Sequence, residues 1–338
     1  MTTRLFRIRP RLGCACALVA LGIASSALAQ APSKPPLPRP KPESPSSSQP
    51  TADNSGSVDL AYGAYQRGYF LTAFGLATRS VEERGDVKAM TLLGVLYSDG
   101  LGVPQDDAKA AQWFTLAAGR GDREAMFALA NMRMAGRGGP EDRAEAAKLY
   151  ASAAKLGHAG AAYNLGLLYL DGQLFPQDFE RAAQLFRTAA DAGNADAQYA
   201  LATFYKEGRG VPKDLKEAAR LLAAAALAGH IDAEVEYAIA LFNGTGTAKN
   251  QAAAIALFRK AARRGSPIAQ NRLARILAAG LGVPADPVEA TKWHLISRAH
   301  GTTDIWLDEF MTKLTPTQRE AAEKAAKPWL NAKTQNHT

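Results

Sequence analysis

The chain has 338 residues, of which 47% are hydrophobic and 21% are charged, and its formal net charge is +8 at pH 7. Four of the positive charges are arginines within the first eleven residues, so the net charge falls from +8 to +4 once these four are subtracted. The rest of the sequence has no basic stripe, and nucleic-acid binding is therefore not expected.

Residues 1–29 have the pattern of a secretory signal peptide. The arginines precede an apolar stretch at residues 14–23, and Ala27-Leu28-Ala29 forms a small-x-small cleavage site. The apolar stretch is too short to span a membrane comfortably. We therefore expect cleavage after Ala29 and export to the bacterial periplasm; a retained N-terminal membrane anchor is the alternative.

Both cysteines of the chain, Cys14 and Cys16, lie in this segment. The mature chain would then contain no thiol. Disulfides, a cysteine nucleophile and thiolate metal ligands are excluded for it.

Residues 30–56 are expected to form a disordered linker. They contain eight prolines among Ser, Lys and Gln, with very little to bury. Such a composition favours extended polyproline II conformations and a semi-rigid spacer. A proline-rich docking motif is the alternative interpretation.

Seven glycines recur at intervals of 36 residues, with no insertion or deletion between them, and they divide residues 86–301 into six units. A fixed period of this length predicts one structural unit stacked on copies of itself. Residues 57–85 are expected to form a shorter capping hairpin before the first unit. The glycines are Gly85, Gly121, Gly157, Gly193, Gly229, Gly265 and Gly301.

Each unit reads as a helix, a Gly/Pro loop and a second helix. With residue 86 as position 1, alanine fills position 4 in all six units, and apolar and small residues follow at positions 8 and 9. Glycine at position 15 ends the first helix, and Asp or Asn at position 21 caps the second. The fold class is therefore all-α, a solenoid of stacked helix-turn-helix repeats.

Three further local expectations concern loops and ends. Glu145, Glu217 and Glu289 stand three residues after their N-caps and can complete capping boxes. The fifth unit lacks the Gly-Val-Pro loop sequence, so its loop should be looser. Within residues 302–338, a helix should begin after Thr315 and cover the last unit, and residues 333–338 should fray.

The repeat columns resemble those of the Sel-1-like repeat, a relative of the tetratricopeptide repeat. In the first unit they read Ala89, Gly94 and Tyr97, then Gly100 and Pro104; the other units follow this pattern with departures, such as Arg133 in place of the aromatic residue in unit two and Ala248 in place of the proline in unit five. The resemblance implies a right-handed α-solenoid whose first helices line a concave face. It also implies a protein-binding scaffold and not an enzyme.

The sequence shows no motif for catalysis or for a cofactor. HExxH, Walker and Gly-x-Ser-x-Gly patterns are absent, and the recurring Asp column is explained by helix capping. His158 and His230 share position 1, where a structural or surface role is expected. Catalytic residues, a cofactor and a metal site are therefore not predicted.

Specificity should lie at the non-repeating positions 6, 10 and 13 of the first helices in units two to four. These positions form a central aromatic and apolar strip with the composition of a peptide-binding groove. The alternative is that the rings pack between adjacent first helices. The residues are Phe127, Asn131, Met134, Tyr163, Leu167, Leu170, Tyr199, Thr203 and Lys206.

The sequence thus predicts an exported, monomeric adaptor that binds a protein partner through a groove. By the resemblance, a role in envelope signalling near a membrane protein or the cell wall is one form this could take. A purely structural spacer, or cell-wall polysaccharide binding or hydrolysis, are the alternatives.

Overall fold

The computed structural model describes residues 56–335, and all regular secondary structure in this range is α-helical. The predicted signal peptide and the predicted linker up to residue 55 lie outside the described residues. Sixteen helices follow one another in the described part of the chain. They are α1 (Gly56–Gln66), α2 (Phe70–Arg84), α3 (Val87–Asp99), α4 (Asp107–Gly119), α5 (Arg123–Ala135), α6 (Arg143–Lys155), α7 (Ala159–Asp171), α8 (Phe179–Asp191), α9 (Ala195–Glu207), α10 (Leu215–Leu227), α11 (Ile231–Asn243), α12 (Gln251–Arg263), α13 (Pro267–Ala279), α14 (Pro287–Ala299), α15 (Ile305–Thr312) and α16 (Pro316–Gln335).

Helices α3 to α14 form six pairs of 13-residue helices, which confirms the predicted helix-turn-helix unit. Each first helix ends at the predicted glycine, which takes a left-handed conformation that a side chain would disfavour, as at Gly100 with φ 67°. The position-4 alanines are buried where each first helix meets its neighbours, as at Ala161. Each helix therefore buries its apolar face against adjacent helices in the stack.

In the first and third repeats, the glycine at position 9 of the first helix faces a phenylalanine ring of the second helix. A Cβ atom added to Gly94 would lie 2.6 Å from the ring of Phe114, and one added to Gly166 would lie 2.7 Å from Phe186. Both rings are almost completely buried, so they would have to shift to admit a methyl group; in the fifth repeat, where Phe258 occupies the equivalent position, position 9 is Ala238. The small residue predicted at this position is thus required by the close crossing of the two helices.

A backbone hydrogen bond closes every loop inside a repeat. The N–H of the second-helix N-cap donates to the carbonyl nine residues earlier, from Asp106 to Tyr97 at 2.9 Å and from Asn250 to Leu241 at 2.8 Å. The loop of the fifth unit therefore has the same closure as the others, and Gly244 and Gly246 keep positive φ angles. The glycines and the capping residue thus keep the turn of the fifth loop without Val and Pro, and its expected looseness stays a prediction.

The predicted capping boxes of the second helices do not form. The N-cap N–H that a box would use already donates to the loop carbonyl, as from Asp214 to Tyr205 at 2.9 Å. The carboxylate of Glu217 instead accepts two hydrogen bonds from Arg220. The loop hydrogen bond and the capping box both need the N–H of the N-cap residue, and in the structure this N–H donates to the loop carbonyl.

The third repeat has the loop that departs from the pattern. It carries Leu174 where the other repeats have a glycine with positive φ, and no non-glycine residue in the described range has a positive φ. In the fourth repeat the equivalent Gly210 lies so close to the preceding repeat that an added Cβ would collide with the carbonyl oxygen of Phe179. Leucine cannot occupy that position, so the third loop must follow another path.

The two ends of the stack are covered by different elements. At the N-terminal end, α1 and α2 pack as a hairpin joined by a short link containing Gly68, without a Gly/Pro loop. At the C-terminal end, α16 lies against α14, and Trp329 contacts Trp293 edge-on with ring centroids 5.3 Å apart. Ala322 and Ala326 of α16 are fully buried in this contact.

Helix α16 begins at Pro316 as predicted, and here a capping box does form. The N–H of Gln318 donates to Oγ1 of Thr315, while Oε1 of Gln318 accepts from the N–H of Thr315. The helix continues through Gln335, and the expected fraying of residues 333–338 stays a prediction. No glycine or proline follows Leu330 to end the helix. Residues 336–338 lie outside the described range.

Within residues 56–335, no helix combines the length and apolar character that crossing a membrane requires.

Candidate partner-binding surface

The first helices of consecutive repeats touch one another through side chains, which places their positions 6, 10 and 13 in one continuous row. The amide of Asn164 donates to Oδ1 of Asn131 at 3.3 Å, from α7 to α5. Nζ of Lys206 donates to Glu236 at 3.0 Å, from α9 to α11. The row is therefore built across repeat boundaries.

Two of the predicted rings stack on histidines of the next repeat. Phe127 lies over His158 with ring centroids 4.2 Å apart, and Tyr199 lies over His230 at 4.5 Å, with interplanar angles of 26° and 24°. Position 6 of one repeat thus meets position 1 of the following repeat. These rings contribute to packing between first helices, as the alternative interpretation held.

The two histidines are N-caps, a role that the sequence analysis did not assign to them. Nδ1 of His158 accepts from the N–H of Ala161 at 3.0 Å, and Nδ1 of His230 accepts from the N–H of Ala233 at 3.1 Å. The proton then sits on Nε2, which in His158 donates to Glu124 of the preceding repeat at 3.1 Å. Their position 1 in the column, shared with Asp, Asn and Ser caps, was the signal for this role.

Tyr163 is the third ring of the strip and has no histidine opposite it. Its ring is tilted against Phe186 of α8, with centroids 5.5 Å apart. Burial, reinforced by the nearby carboxylate of Asp196, raises the pKa of the Tyr163 hydroxyl above its usual value. Burial likewise raises the pKa of Tyr199, with Glu236 and Asp232 adding to the effect. Both rings are therefore held partly out of water.

The six remaining residues of the strip divide into polar and apolar members. Asn131 accepts the hydroxyl of Tyr150 at 2.6 Å, and Thr203 donates to the carbonyl of Tyr199 in its own helix. Lys206 keeps an exposed ammonium group beside Glu236. The apolar members are half-buried along the same row, and they are Met134, Leu167 and Leu170.

All nine predicted residues therefore lie on first helices, in one row, and all are half-buried. The row continues in the fifth and sixth repeats, which the sequence analysis did not include. There it opens into a cleft of about 340 Å³ between α11 and α13, with Trp306 of α15 on its far side. Ile239, Phe242 and Arg275 line the cleft and occupy positions 10 and 13 of their repeats. Extending positions 10 and 13 to the fifth and sixth repeats would have predicted these three residues from the sequence.

Arg275 is fixed at the edge of this cleft. It donates to both carboxylate oxygens of Asp304, at 2.6 and 2.8 Å, and its guanidinium lies 5.5 Å from the ring centre of Trp306. Asp304 also accepts from Asn271 and from the N–H of Leu307. The Arg275 hydrogen bonds, followed by those of Asn271 and Leu307, lower the pKa of Asp304 to about 2.

A second, more open cleft of about 540 Å³ lies beside the unusual loop of the third repeat. Tyr169 and Phe175 stack there with centroids 4.8 Å apart. The other lining residues are Pro176, Gln177, Asp178, Phe179, Glu180 and Gly210. The cleft is lined by residues of the loop in which Leu174 replaces the glycine of the other repeats. It lies at the loop end of the repeats, beyond the row of positions 6 and 10.

Among the described residues, no group of three or more His, Cys, Asp or Glu side chains converges as metal ligands would. The carboxylates described above are engaged in caps and ion pairs. The arrangement can therefore bind by shape, apolar contact and charge.

Six consecutive segments of the chain match the Sel1 repeat, at residues 87–122, 123–158, 159–194, 195–230, 231–266 and 267–301. The chain belongs to the Sel1 repeat family. Sel1 repeats form tetratricopeptide-like solenoids that generally mediate protein–protein interaction, and scaffolds of this family are typically non-catalytic.

Two solved structures resemble this Sel1 chain over most of its length. A Sel1 repeat protein from Oxalobacter formigenes is 26% identical with a TM-score of 0.62, covering 72% of this chain and 97% of its own. The protective antigen c5321 of uropathogenic Escherichia coli, described as displaying an SLR fold, is 27% identical with a TM-score of 0.54. That match covers 82% of this chain and 69% of the antigen. No curated protein matches the sequence.

Proposed function

We propose that this protein is an exported, monomeric scaffold that binds a protein partner along the row formed by its first helices. The observation that carries the proposal is that six consecutive Sel1 repeats align positions 6, 10 and 13 into one surface. Solenoids use such extended rows to contact partners over several repeats. The nine residues from Phe127 to Lys206 form the central part of this surface.

The charge and the exposed surface of side chains along the row favour partner binding over a role in packing alone. The side chain of Lys206 is 41% exposed although it pairs with Glu236, and Leu170 is only half-buried. An amphipathic surface of this kind offers apolar contact in its centre and polar contact at its edges. A stack that served only as a spacer would not need a cleft within this row.

Site-specific photo-crosslinking in intact cells tests the binding surface. A photoreactive amino acid is placed at Leu170 or Lys206 on the first helices, and at Leu116 or Leu227 as controls. The controls are 50% and 90% exposed and lie on second helices. We expect a discrete crosslinked partner from the first-helix positions only. Equal products from both sets, or none from Leu170 and Lys206, would contradict the proposal.

We further propose that the partner is met in the cell envelope, since residues 1–29 have the pattern of an export signal. By the family resemblance, regulation of an envelope signalling protein is one form that this binding could take. Fractionation and N-terminal sequencing test the location. A periplasmic chain beginning at Gln30 is expected, and a cytoplasmic chain beginning at Met1 would refute export.

A further inference from the structure

The cleft in the fifth and sixth repeats has an apolar floor. It is formed by side chains of α11, α12 and α13, and a half-exposed indole closes one side. Phe258 and Ile276 at its base are buried, whereas Trp306 is 42% exposed. A volume of about 340 Å³ suits one or two side chains, not a folded element. The floor residues are Ile239, Phe242, Phe258 and Ile276, and the exposed Leu281, which follows α13, lies at the edge of the cleft.

The charged groups of the cleft are all cationic. Arg272 and Arg275 line it, and no acidic side chain does so. Arg275 is neutralised by Asp304, but Arg272 is exposed and has no ion pair or hydrogen bond with any described residue. A basic group held beside an apolar floor is complementary to an acidic group attached to an apolar one.

Arg275 is also held in a fixed position. Asp304 holds its Nε and Nη2 and Trp306 covers its guanidinium, while Nη1 makes no hydrogen bond within the described range. A donor fixed in this way binds an incoming carboxylate without first losing side-chain freedom. Arg272 supplies the unpaired charge, and Arg275 supplies the ordered donor.

We infer that this cleft binds an acidic peptide segment of the partner protein, in which a carboxylate side chain stands beside a large apolar one. The apolar side chain enters between Ile239 and Ile276, and the carboxylate meets Arg272 and the free Nη1 of Arg275. This inference rests on the proposed function, because it names the chemistry of the partner at one end of the same row.

Fluorescence anisotropy with labelled synthetic peptides tests the inference. The probe is a short peptide in which glutamates flank a phenylalanine and a leucine. One control peptide replaces the glutamates with glutamines, and another replaces both apolar residues with alanines. We expect binding to the first peptide only, weakening as salt is raised.

Protein variants locate the binding within the cleft. Arg272→Gln should weaken binding roughly threefold to tenfold, and Arg272→Lys should restore most of it. Arg263→Gln is the matched control, because Arg263 is an exposed arginine on α12 that makes no described pair and does not line the cleft. Trp306→Ala should weaken binding tenfold or more, roughly the effect of removing a central aromatic contact.

Three outcomes would overturn the inference. They are equal binding of the glutamine peptide, equal loss in Arg263→Gln and Arg272→Gln, and binding of a single-stranded oligonucleotide as tight as that of the acidic peptide. Because Arg272 has no structural partner, its variants test binding without disturbing the fold. If these results appear while crosslinks from Leu170 and Lys206 persist, the inference fails and the proposed function stands.

Discussion

A histidine at the start of a first helix links two neighbouring repeats. Nδ1 of His158 caps its own helix, Nε2 reaches Glu124 of the preceding repeat, and the ring lies on Phe127. A smaller cap such as Asp122 also satisfies the first-turn amide, but it has no ring to offer the neighbouring helix. The histidine cap therefore combines local and inter-repeat stabilisation in one side chain.

We predict that His158→Ala lowers the free energy of unfolding by about 1–3 kcal/mol, because it removes both the cap and the ring contact. The loss of unfolding free energy in His158→Asn should be roughly half of this, because asparagine can keep the cap but not the ring contact. Asn194 caps the same position in the fourth repeat with a 2.7 Å hydrogen bond. Chemical denaturation measures both. If the asparagine variant were as unstable as the alanine variant, the cap would contribute nothing.

The two position-9 glycines lead to a second prediction. Gly166→Ala should destabilise the protein by about 1–3 kcal/mol, because the new methyl group would meet the buried ring of Phe186. Gly119→Ala is the matched control: it lies at the end of α4 with nothing within 4 Å of an added Cβ. It should be neutral or slightly stabilising. Equal thermal midpoints for the two variants would refute the close crossing.

At the scale of elements, α15 is tied to α13 through one carboxylate. Asp304 caps α15 and accepts hydrogen bonds from Arg275 and Asn271 of α13. Its side chain is only 4% exposed. The cap of the C-terminal end therefore depends on Asp304 being ionised.

This dependence predicts a loss of stability in acid. The folded-state pKa of Asp304 is lowered to about 2, below the usual value of 3.8, so its contribution is complete above about pH 4 and is lost as pH falls towards 2. Allowing for solvent around Arg275, the contribution is on the order of 1–2 kcal/mol. Asp304→Asn keeps the cap but removes the charge. The difference in urea midpoint between the two proteins should shrink over this pH range, and a constant difference would count against the ion pair.

The helices and their ends could largely be predicted from the sequence, because small residues, caps and glycines act locally. The loops were harder. The fifth loop was expected to differ because Val and Pro are missing, yet the glycines that set its φ angles are present. The third loop was not singled out, although Leu174 replaces a glycine that must lie against the preceding repeat. That contact joins two repeats, so it cannot be predicted from the sequence of one repeat alone.

Prediction of the candidate site from the sequence is limited in the same way, because contacts between separate helices cannot be read from local sequence. Its central rings were found because aromatic residues stand out, and the structure adds that Phe127 and Tyr199 stack on the next repeat. The cleft was missed because Trp306 comes from outside the repeats, and its approach to Arg275 depends on how α15 folds back. Only tertiary structure brings these two side chains together.

At the scale of the whole molecule, each repeat contacts mainly its neighbours, so the end of the stack has to be covered. Helix α16 covers α14 through Trp329 and two buried alanines. We predict that deleting residues 315–338 exposes the face around Trp293, lowers the unfolding midpoint and causes aggregation. Thermal unfolding followed by circular dichroism and light scattering measures both effects.

The control for this deletion removes only residues 336–338 and should leave stability unchanged. A deletion of residues 315–338 that remained monomeric, with the midpoint of the full chain, would show that α16 is dispensable.

The stacking of one ring on the next repeat has a consequence for how such a protein can change its length. If residues 194–229 were lost as a block, Tyr163 would come to face His230, the same residue that Tyr199 now meets. The new contact between repeats would stack an aromatic ring on a histidine, as Phe127 and His158 already do. Whole copies could thus be gained or lost by recombination without a new interface having to evolve, and the reach of the protein would change in discrete steps.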